Sequence, residues 1–456
     1  VDLSQAQAAG IFMTGEPIIY FVHCVDTEGP LTEETPQITW GIDARPDYYQ
    51  VPDFSDLSHD HLGEMIWEHR SDTLRSWDDI ASMLRAATSK ERRMALPDHF
   101  GGGWVYNWFC MDHLDFTDNP RGRAMGIHVV FDFYKLLVEE QRLGDGLHWH
   151  FHPMTTYREA HRCATSYLNS PQLWEIVGRR ILERRWFPSA HRAGFADERP
   201  DSHWFLEQWI PFDLSNTAID HIDFEVNPDL IDGRFGDWRG APDDWSTYHP
   251  DHDYYHRRGN CRRKIARALN LLNRFGNLDE YEMTKAFSRA AAGKPTLVGM
   301  VSHDWRNLNV EVAYIQHLIR KVSANFPGVR FKFSEAIEAF NAVHPPRQDL
   351  PVKLSCLLDR DGDGRPRRVR INVDQGKVFG PQPFLTVMTR SRRIIHDNLN
   401  FSNTLNSFNY SFDLESILPE DVKAVGIAAN DDAGNQSIHV VDIDVDPAPP
   451  GGEQRF

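Results

Sequence analysis

Three short stretches bring together residue types that can do chemistry. Gly146-Leu147-His148-Trp149-His150-Phe151-His152-Pro153 sets three histidines within five residues. Phe21-Val22-His23-Cys24-Val25-Asp26-Thr27-Glu28-Gly29-Pro30 is an apolar run that ends in two carboxylates. Leu297-Val298-Gly299-Met300-Val301-Ser302-His303-Asp304-Trp305 is a second apolar run, ending in a histidine. Neutral imidazoles and carboxylates are ordinary ligands of Zn²⁺ and its neighbours, at roughly 2.0–2.2 Å. Two carboxylates in one small site suit a ligand and a general base, and a histidine beside them suits a general acid. The reading is that the three ends meet around one divalent metal.

Each residue also has a plainer reading. His148 and His152 are four apart and face one way on a helical turn, or converge where a strand enters a turn. On a straight strand His150 shares their face, and it is read as a neighbour of the ligands or a substrate group. Asp26 and Glu28, two apart at a strand end, also point the same way; the alternative is a solvated Asp-Thr-Glu-Gly-Pro turn. Arg192 follows a short apolar approach and suits a two-pronged grip on a carboxylate; a surface arginine is the alternative. For His303 the alternative is a hydrogen-bonded core histidine.

The elements that must position these groups alternate. Residues 18–25, 104–111, 190–195, 212–215, 295–301 and 329–333 read as buried strands, and the histidine stretch as another. Between them lie helical patterns. Ser76 and Asp79 form a capping pair ahead of Trp77, Ile80, Leu84 and Ala87, which share one helical face. Other helices are expected near 131–142, 173–186, 202–209, 265–272, after Leu278, over 310–322, and from Ser334 to about Val343. Alternating strands and helices predict an α/β domain with a parallel sheet or barrel, whose chemistry sits at the C-terminal ends of the strands. Residues 31–72 and 232–262 read as long polar loops. His344-Pro-Pro-Arg-Gln-Asp-Leu-Pro reads as a linker, which divides the chain into 1–345 and 346–456. Short strand-like runs from 352 onward predict a small all-β sandwich, with 430–437 as the turn of its last hairpin. Asp359-Arg-Asp-Gly-Asp-Gly reads as a hairpin tip, since Arg370 stands where a calcium loop requires glutamate.

Composition narrows the partners. The 456 residues carry a net charge of −17, which opposes binding to a phosphate backbone. No apolar run is long enough for a membrane-spanning helix. The five cysteines, Cys24, Cys110, Cys163, Cys261 and Cys356, form no Cys-x-x-Cys, which favours a reducing, cytoplasmic compartment. Val1-Asp2-Leu3-Ser4 lacks a signal-peptide pattern, while an exported origin stays open. Aromatic content of 12%, with 13 Trp, suits stacking on sugar rings and equally suits a large core. Arg257, Arg258, Arg262 and Arg263 are read as a solvated helix start, or else a grip on a substrate anion. A homo-oligomer is compatible with all of this.

Taken in order, the segments over roughly 17–340 resemble the NodB-type polysaccharide deacetylases, a family of metal-dependent carbohydrate esterases. Val25-Asp26-Thr27-Glu28-Gly29 is similar to the family's acidic motif. Gly146 to Pro153 is similar to its His-x-x-x-His motif, with Trp149 where Ser or Thr is usual. Arg192-Ala193-Gly194-Phe195 and Val301-Ser302-His303 resemble its arginine and final histidine motifs. Asp237-Trp238 or Asp244-Trp245 loosely suggests its Asp-Trp region. The resemblance implies a distorted (β/α) barrel of NodB type and one divalent metal, Zn²⁺ first, with Co²⁺, Ni²⁺ or Mn²⁺ as alternatives. It implies Glu28, His148 and His152 as ligands, Asp26 as general base, His303 as general acid and Arg192 tuning Asp26. The implied reaction removes an N-acetyl group from an amino sugar in a polysaccharide or glycan precursor. The alternatives are hydrolysis of a non-sugar amide and carbohydrate binding without catalysis.

Overall fold

Alternation along the strands sets the architecture. In β1 (Ile18–Thr27), Val22 and Cys24 join one apolar cluster while Ile19, Phe21 and Val25 join another, as the two-residue period of a strand requires. In the computed structural model, which describes residues 16–30, 43–56, 58–113, 128–153, 166–168, 170, 172–220, 236–273, 275–347 and 350–444, the first cluster fills a barrel and the second lies between the barrel and its helices.

The barrel strands are β1, β2 (Tyr106–His113), β3 (Gly146–His152), β4 (Ala190–Ala193), β5 (Phe212–Asn216), β6 (Lys264–Asn270) and β7 (Thr296–His303). They pair in chain order, all parallel, and β7 returns to β1, so the sheet closes on seven strands. An eighth strand, β8 (Arg330–Phe333), pairs with the first half of β1, before the pairing with β2 begins at His23.

The helices are α1 (His59–Ser71), α2 (Trp77–Ala87), α3 (Lys90–Arg93), α4 (Val129–Gln141), α5 (Gln172–Arg184), α6 (Pro200–Trp209), α7 (Glu280–Ala291), α8 (Leu308–Ser323) and α9 (Ala336–Val343). The Ser76 side chain accepts from the Asp79 N–H at 3.0 Å, the expected cap of α2. Residues of α2, α4, α7 and α8 pack on one side of the barrel wall, and residues of α5 and α6 on another. Helix α9 lies at the N-terminal ends of the strands. Its Ala336, Ala339, Phe340 and Val343 join the interior cluster, and Phe340 stacks on Phe212 at 4.7 Å. It is the floor of the barrel.

Three expectations differ from the fold. Residues 265–272 do not form a helix; 264–270 is the strand β6. Its alternation is masked because Arg267 is buried among apolar neighbours and paired with Glu282 at 2.6 Å. The loop expected at 31–72 contains α1, anchored by buried His69 against Glu311 at 2.8 Å; part of that stretch lies outside the described residues. No helix starts at the arginines of 257–263. Arg263 is fully buried between Glu198 and Asp213, while Arg257 bonds Asp251 and Arg262 bonds the Glu207 carbonyl.

Beyond the barrel stand two antiparallel sheets. One is ordered β13 (Asn400–Phe401), β14 (Ser407–Ser411), β10 (Pro366–Gln375), β9 (Lys353–Arg360). The other is ordered β12 (Ile394–Asp397), β11 (Phe384–Thr389), β15 (Val422–Asn430), β16 (Gln436–Asp442). Val369, Ile371 and Phe408 of one sheet meet Val387, Val425 and Ile427 of the other in a shared core, the arrangement of a sandwich. In the β9–β10 turn the Asp361 carboxylate accepts from Asp363 N and Arg365 N, and Asp359 is held by Arg368 and Arg370.

The sandwich packs on α5 and α6. Trp174 stacks on His396 at 4.3 Å, and a Cβ at Gly178 would meet the Thr386 hydroxyl at 2.4 Å. The β15–β16 hairpin reaches under the barrel. Buried Asn430 donates to the carbonyls of Pro188 and Trp209, and Gly434, at φ +81°, lies against Phe212 and Ile337. Among the described residues no helix is long and apolar enough to cross a membrane.

Candidate metal centre

The parity that builds the barrel also aims the chemistry. Asp26 and Glu28 continue the inward series Val22, Cys24 on β1, and Arg192 follows inward Ala190 on β4. His303 follows Leu297 and Val301 on β7. On β3, Trp149 and Phe151 pack outward among Leu173 and Val177 of α5, which leaves His148, His150 and His152 facing in. Trp149 donates to Asp112 at 2.9 Å on that outer side, so the residue that departs from the resembled motif is part of the wall and not of the site.

At the C-terminal end of the barrel Glu28, His150 and His152 converge, each offering a ligand atom within 4.8 Å of the others. All three are buried. His150 Nδ1 lies 2.9 Å from the Arg192 carbonyl. A carbonyl only accepts, so Nδ1 carries the hydrogen and the Nε2 lone pair faces His152 Nε2, 2.9 Å away. A backbone carbonyl fixing one ring nitrogen so that the other can ligate is the usual support of a metal-binding histidine. Two nitrogens and a carboxylate oxygen on three converging side chains fit a divalent transition ion.

His148 lies outside this group. Its Nε2 is 3.1 Å from Asn107 Oδ1 and 3.1 Å from Glu335 Oε1. Asn107 also accepts from the Ala336 N–H at the start of α9, and Glu335 caps that helix. His148 therefore belongs to the floor. The implied set of Glu28, His148 and His152 is replaced in the geometry by Glu28, His150 and His152. The physical reason is the length of β3: it stays extended through His152, so neighbours on one face are two apart, and the residue four back is two rungs deeper.

The remaining expected residues ring the triad. Arg192 Nε lies 2.8 and 2.9 Å from the two oxygens of Asp26, and its Nη1 donates to the Leu214 carbonyl at 3.1 Å. Burial works against that guanidinium, yet Asp26 holds its pKa above the ordinary arginine value. Asp26 Oδ2 stands 3.7 Å from His150 Nε2. On the neighbouring strand β7, in register with Asp26, His303 Nε2 stands 3.6 Å from Glu28 Oε1. His303 Nδ1 faces Arg306 Nη2 at 3.3 Å, and Arg306 is paired with Glu311 at 3.1 Å. An arginine only donates, so the hydrogen of neutral His303 sits on Nε2, toward the triad.

Several supports escape a reading by motif. Asp304 accepts from the backbone N–H of Glu28 at 2.8 Å and of Gly29 at 2.9 Å, and from the Tyr134 hydroxyl at 2.7 Å. It pins the turn that carries Glu28. Gly29 takes φ +73°, and a Cβ there would lie 2.5 Å from Trp77. Behind His152, Gly194 presses on the imidazole, where a Cβ would lie 2.5 Å from the ring, and Phe195 meets it edge-on at 4.8 Å. Phe195 and Ala196 both have positive φ, a strained turn of the kind that clusters at sites. Trp238 donates to the Ala196 carbonyl at 2.6 Å and braces that turn. Of the Asp-Trp candidates, Trp238 thus buttresses the site, while Asp237 bonds Arg239 at the surface. Trp245 bonds the Glu282 carbonyl away from it. The only sequence signal for Asp304 was its place next to His303.

No family model, no curated protein and no solved structure matches this chain in the three comparisons made.

Proposed function

We propose that the protein is a metal-dependent hydrolase of an amide C–N bond, with the N-acetyl group of an amino sugar as substrate. The observation that carries the reading is the convergence of Glu28, His150 and His152 beside an arginine-clamped Asp26. Glu28, His150 and His152 would hold the ion, which when bound supplies Lewis acidity toward a carbonyl and activation of water.

The chain's own groups divide the rest. Asp26, fixed by Arg192, is placed to take a proton from water beside His150. His303, beside Glu28, presents Nε2 on the triad side, and as the protonated imidazolium it can donate from there to a leaving nitrogen. The base and the acid stand side by side on paired strands, in register at Asp26 and His303, so both reach the same face of the triad. Phe195 packs on His152 and Trp305 on His303 beside that space.

The NodB resemblance supports this reading through the order Asp26, Glu28, histidine strand, Arg192, His303. The two-residue spacing of the histidines departs from the family's four, so the resemblance alone does not carry the sugar, and the second reading is an amide substrate other than a sugar. Metal analysis of the purified protein and assay of acetate released from N-acetylated sugars test both. Bound metal with acetate release is the expected result. Metal without acetate favours the second reading, and no metal removes both.

A further inference from the structure

The seam between barrel floor and sandwich holds a cavity of about 200 Å³ lined by Arg262, Arg347, Lys377, His249, Phe379 and Asp432, with Val378 completing the wall. It lies at the opposite end of the barrel from Glu28: Lys264 opens β6 there, and Asp432 belongs to the hairpin under the floor. In a protein with a net charge of −17 this spot concentrates positive charge. Arg262, Arg347 and Lys377 are exposed at the rim, and buried Lys264 lies behind them.

Of the nearby carboxylates, Glu207 and Asp431 are turned elsewhere and Asp432 alone lines the cavity among the described residues. Glu207 accepts from the backbone N–H of Arg262 and Arg263 at 2.8 and 2.7 Å. Asp431 accepts from Ala433 N and Asn435 N within its own turn and from Val352 N at the start of the sandwich. Asp432 faces the cavity, and its Oδ2 accepts from the Arg347 N–H at 2.8 Å. His249 donates from Nδ1 to the Arg263 carbonyl at 3.0 Å and turns Nε2 toward Arg347, 3.5 Å away. The field registers on its neighbours. Burial, then His249, Lys264 and Arg347, push His344 down to about 4, and burial with the charges of Arg347 and Lys264 lowers His249 as well. Phe379 gives the cavity an apolar floor, with the Arg262 guanidinium 6.0 Å above its ring.

We infer that this seam binds a dianionic phosphate group, held by Arg262, Arg347 and Lys377 across the joint between barrel and sandwich. Two arginines and a lysine converging on one small space are the usual donors to a phosphate. Because Arg262 comes from the barrel, Arg347 from the linker and Lys377 from the sandwich, the bound group ties the two parts together. The inference is independent of the metal centre.

The test is calorimetric titration of the full chain with sodium phosphate near neutral pH, at ionic strength held constant with sodium chloride. Thermal denaturation is followed in parallel. Saturable binding with a rise in melting temperature is expected, and Lys377→Glu weakens it by roughly tenfold or more. Lys377→Gln, which keeps the stem of an exposed side chain, gives a smaller loss and an unchanged melting temperature without phosphate. Glucose 6-phosphate binding more tightly than the inorganic ion assigns the group to a larger phosphorylated molecule, and equal or weaker binding assigns the free ion. Stabilisation matched by sodium chloride alone, or a titration unchanged in Lys377→Glu, overturns the inference.

Discussion

His150 and His148 occupy the same face of the same strand, yet their surroundings give them different work. His150 has its Nδ1 hydrogen committed to the Arg192 carbonyl, which leaves Nε2 for the triad. His148 is folded toward Asn107 and Glu335. Replacing His150 or His152 with alanine is expected to lower metal affinity at least about a hundredfold, since one of three protein ligands is lost. His148→Ala is expected to keep the metal and lower stability instead. Metal content after dialysis, set beside a urea midpoint, separates the two outcomes. Asp304 belongs to the same scale. Asp304→Ala leaves the N–H groups of Glu28 and Gly29 without their acceptor, and a drop of about 10- to 100-fold in metal affinity is expected. Asp304→Asn, which keeps one acceptor oxygen, should recover part of it. Equal metal binding by wild type and Asp304→Ala would show that the turn holds itself. Asp26, Glu28, Arg192 and His303 were legible as inward residues because each ends an apolar run at a fixed parity. The choice between His148 and His150 was not, because it depends on whether β3 bends after Phe151, and that is set by the Gly194–Ala196 turn packed behind His152.

Between β1 and β7 a line of buried polar groups runs through the wall. Trp104 donates to His23 Nδ1 at 2.9 Å, His23 Nε2 meets the Ser302 hydroxyl at 2.7 Å, and both strands lead on to the site. Burial holds the His23 pKa down to about 4, with Glu311 opposing it. An unfolded histidine takes up its proton near pH 6.5. Between those values the unfolded chain binds more protons than the folded one, so stability falls as pH drops through the window and levels off below about 4. The loss from this one residue approaches about 3 kcal/mol. Urea unfolding at a series of pH values checks it: a midpoint flat from pH 7 down to pH 4 would contradict a neutral, buried His23. The strands with plain apolar runs, β1, β7 and β11, and the helices with clear caps, such as α2, could be read directly from their periods. Strand β6 could not. Lys264 is buried there against the Asp432 carbonyl from the far end of the chain, and Arg267 against Glu282 on the next helix, and a charge whose partner lies on another element looks exposed. Strands β12 and β13, four and two residues long, are too short to show an alternating pattern in the sequence.

On the scale of the molecule, the expected division at 345/346 rests on the change from alternating helices and strands to strands alone, and the last helix ends at Val343 while β9 begins at Lys353. How tightly the two parts join was hidden, because the contacts pair small residues with large ones over long separations: Gly178 with Thr386, Gly434 with Phe212. Asn430 is the polar centre of that joint. Asn430→Ala removes the donors to the Pro188 and Trp209 carbonyls and the acceptor of the Ser189 hydroxyl. A destabilisation of about 2–4 kcal/mol is expected, read as a shift of one cooperative transition. Two separate transitions, with only the sandwich affected, would show that barrel and sandwich unfold independently.

The hairpin under the floor also orders events in time. Residues 430–436 seal the base of a barrel whose first strand begins at Ile18, and synthesis proceeds from the N-terminus. During translation the ribosome must therefore release everything from Ile18 to the 430–436 turn before that first strand acquires its final underside. A nascent chain interrupted just short of that turn would leave Phe212 and Ile337 uncovered, a ready target for chaperones.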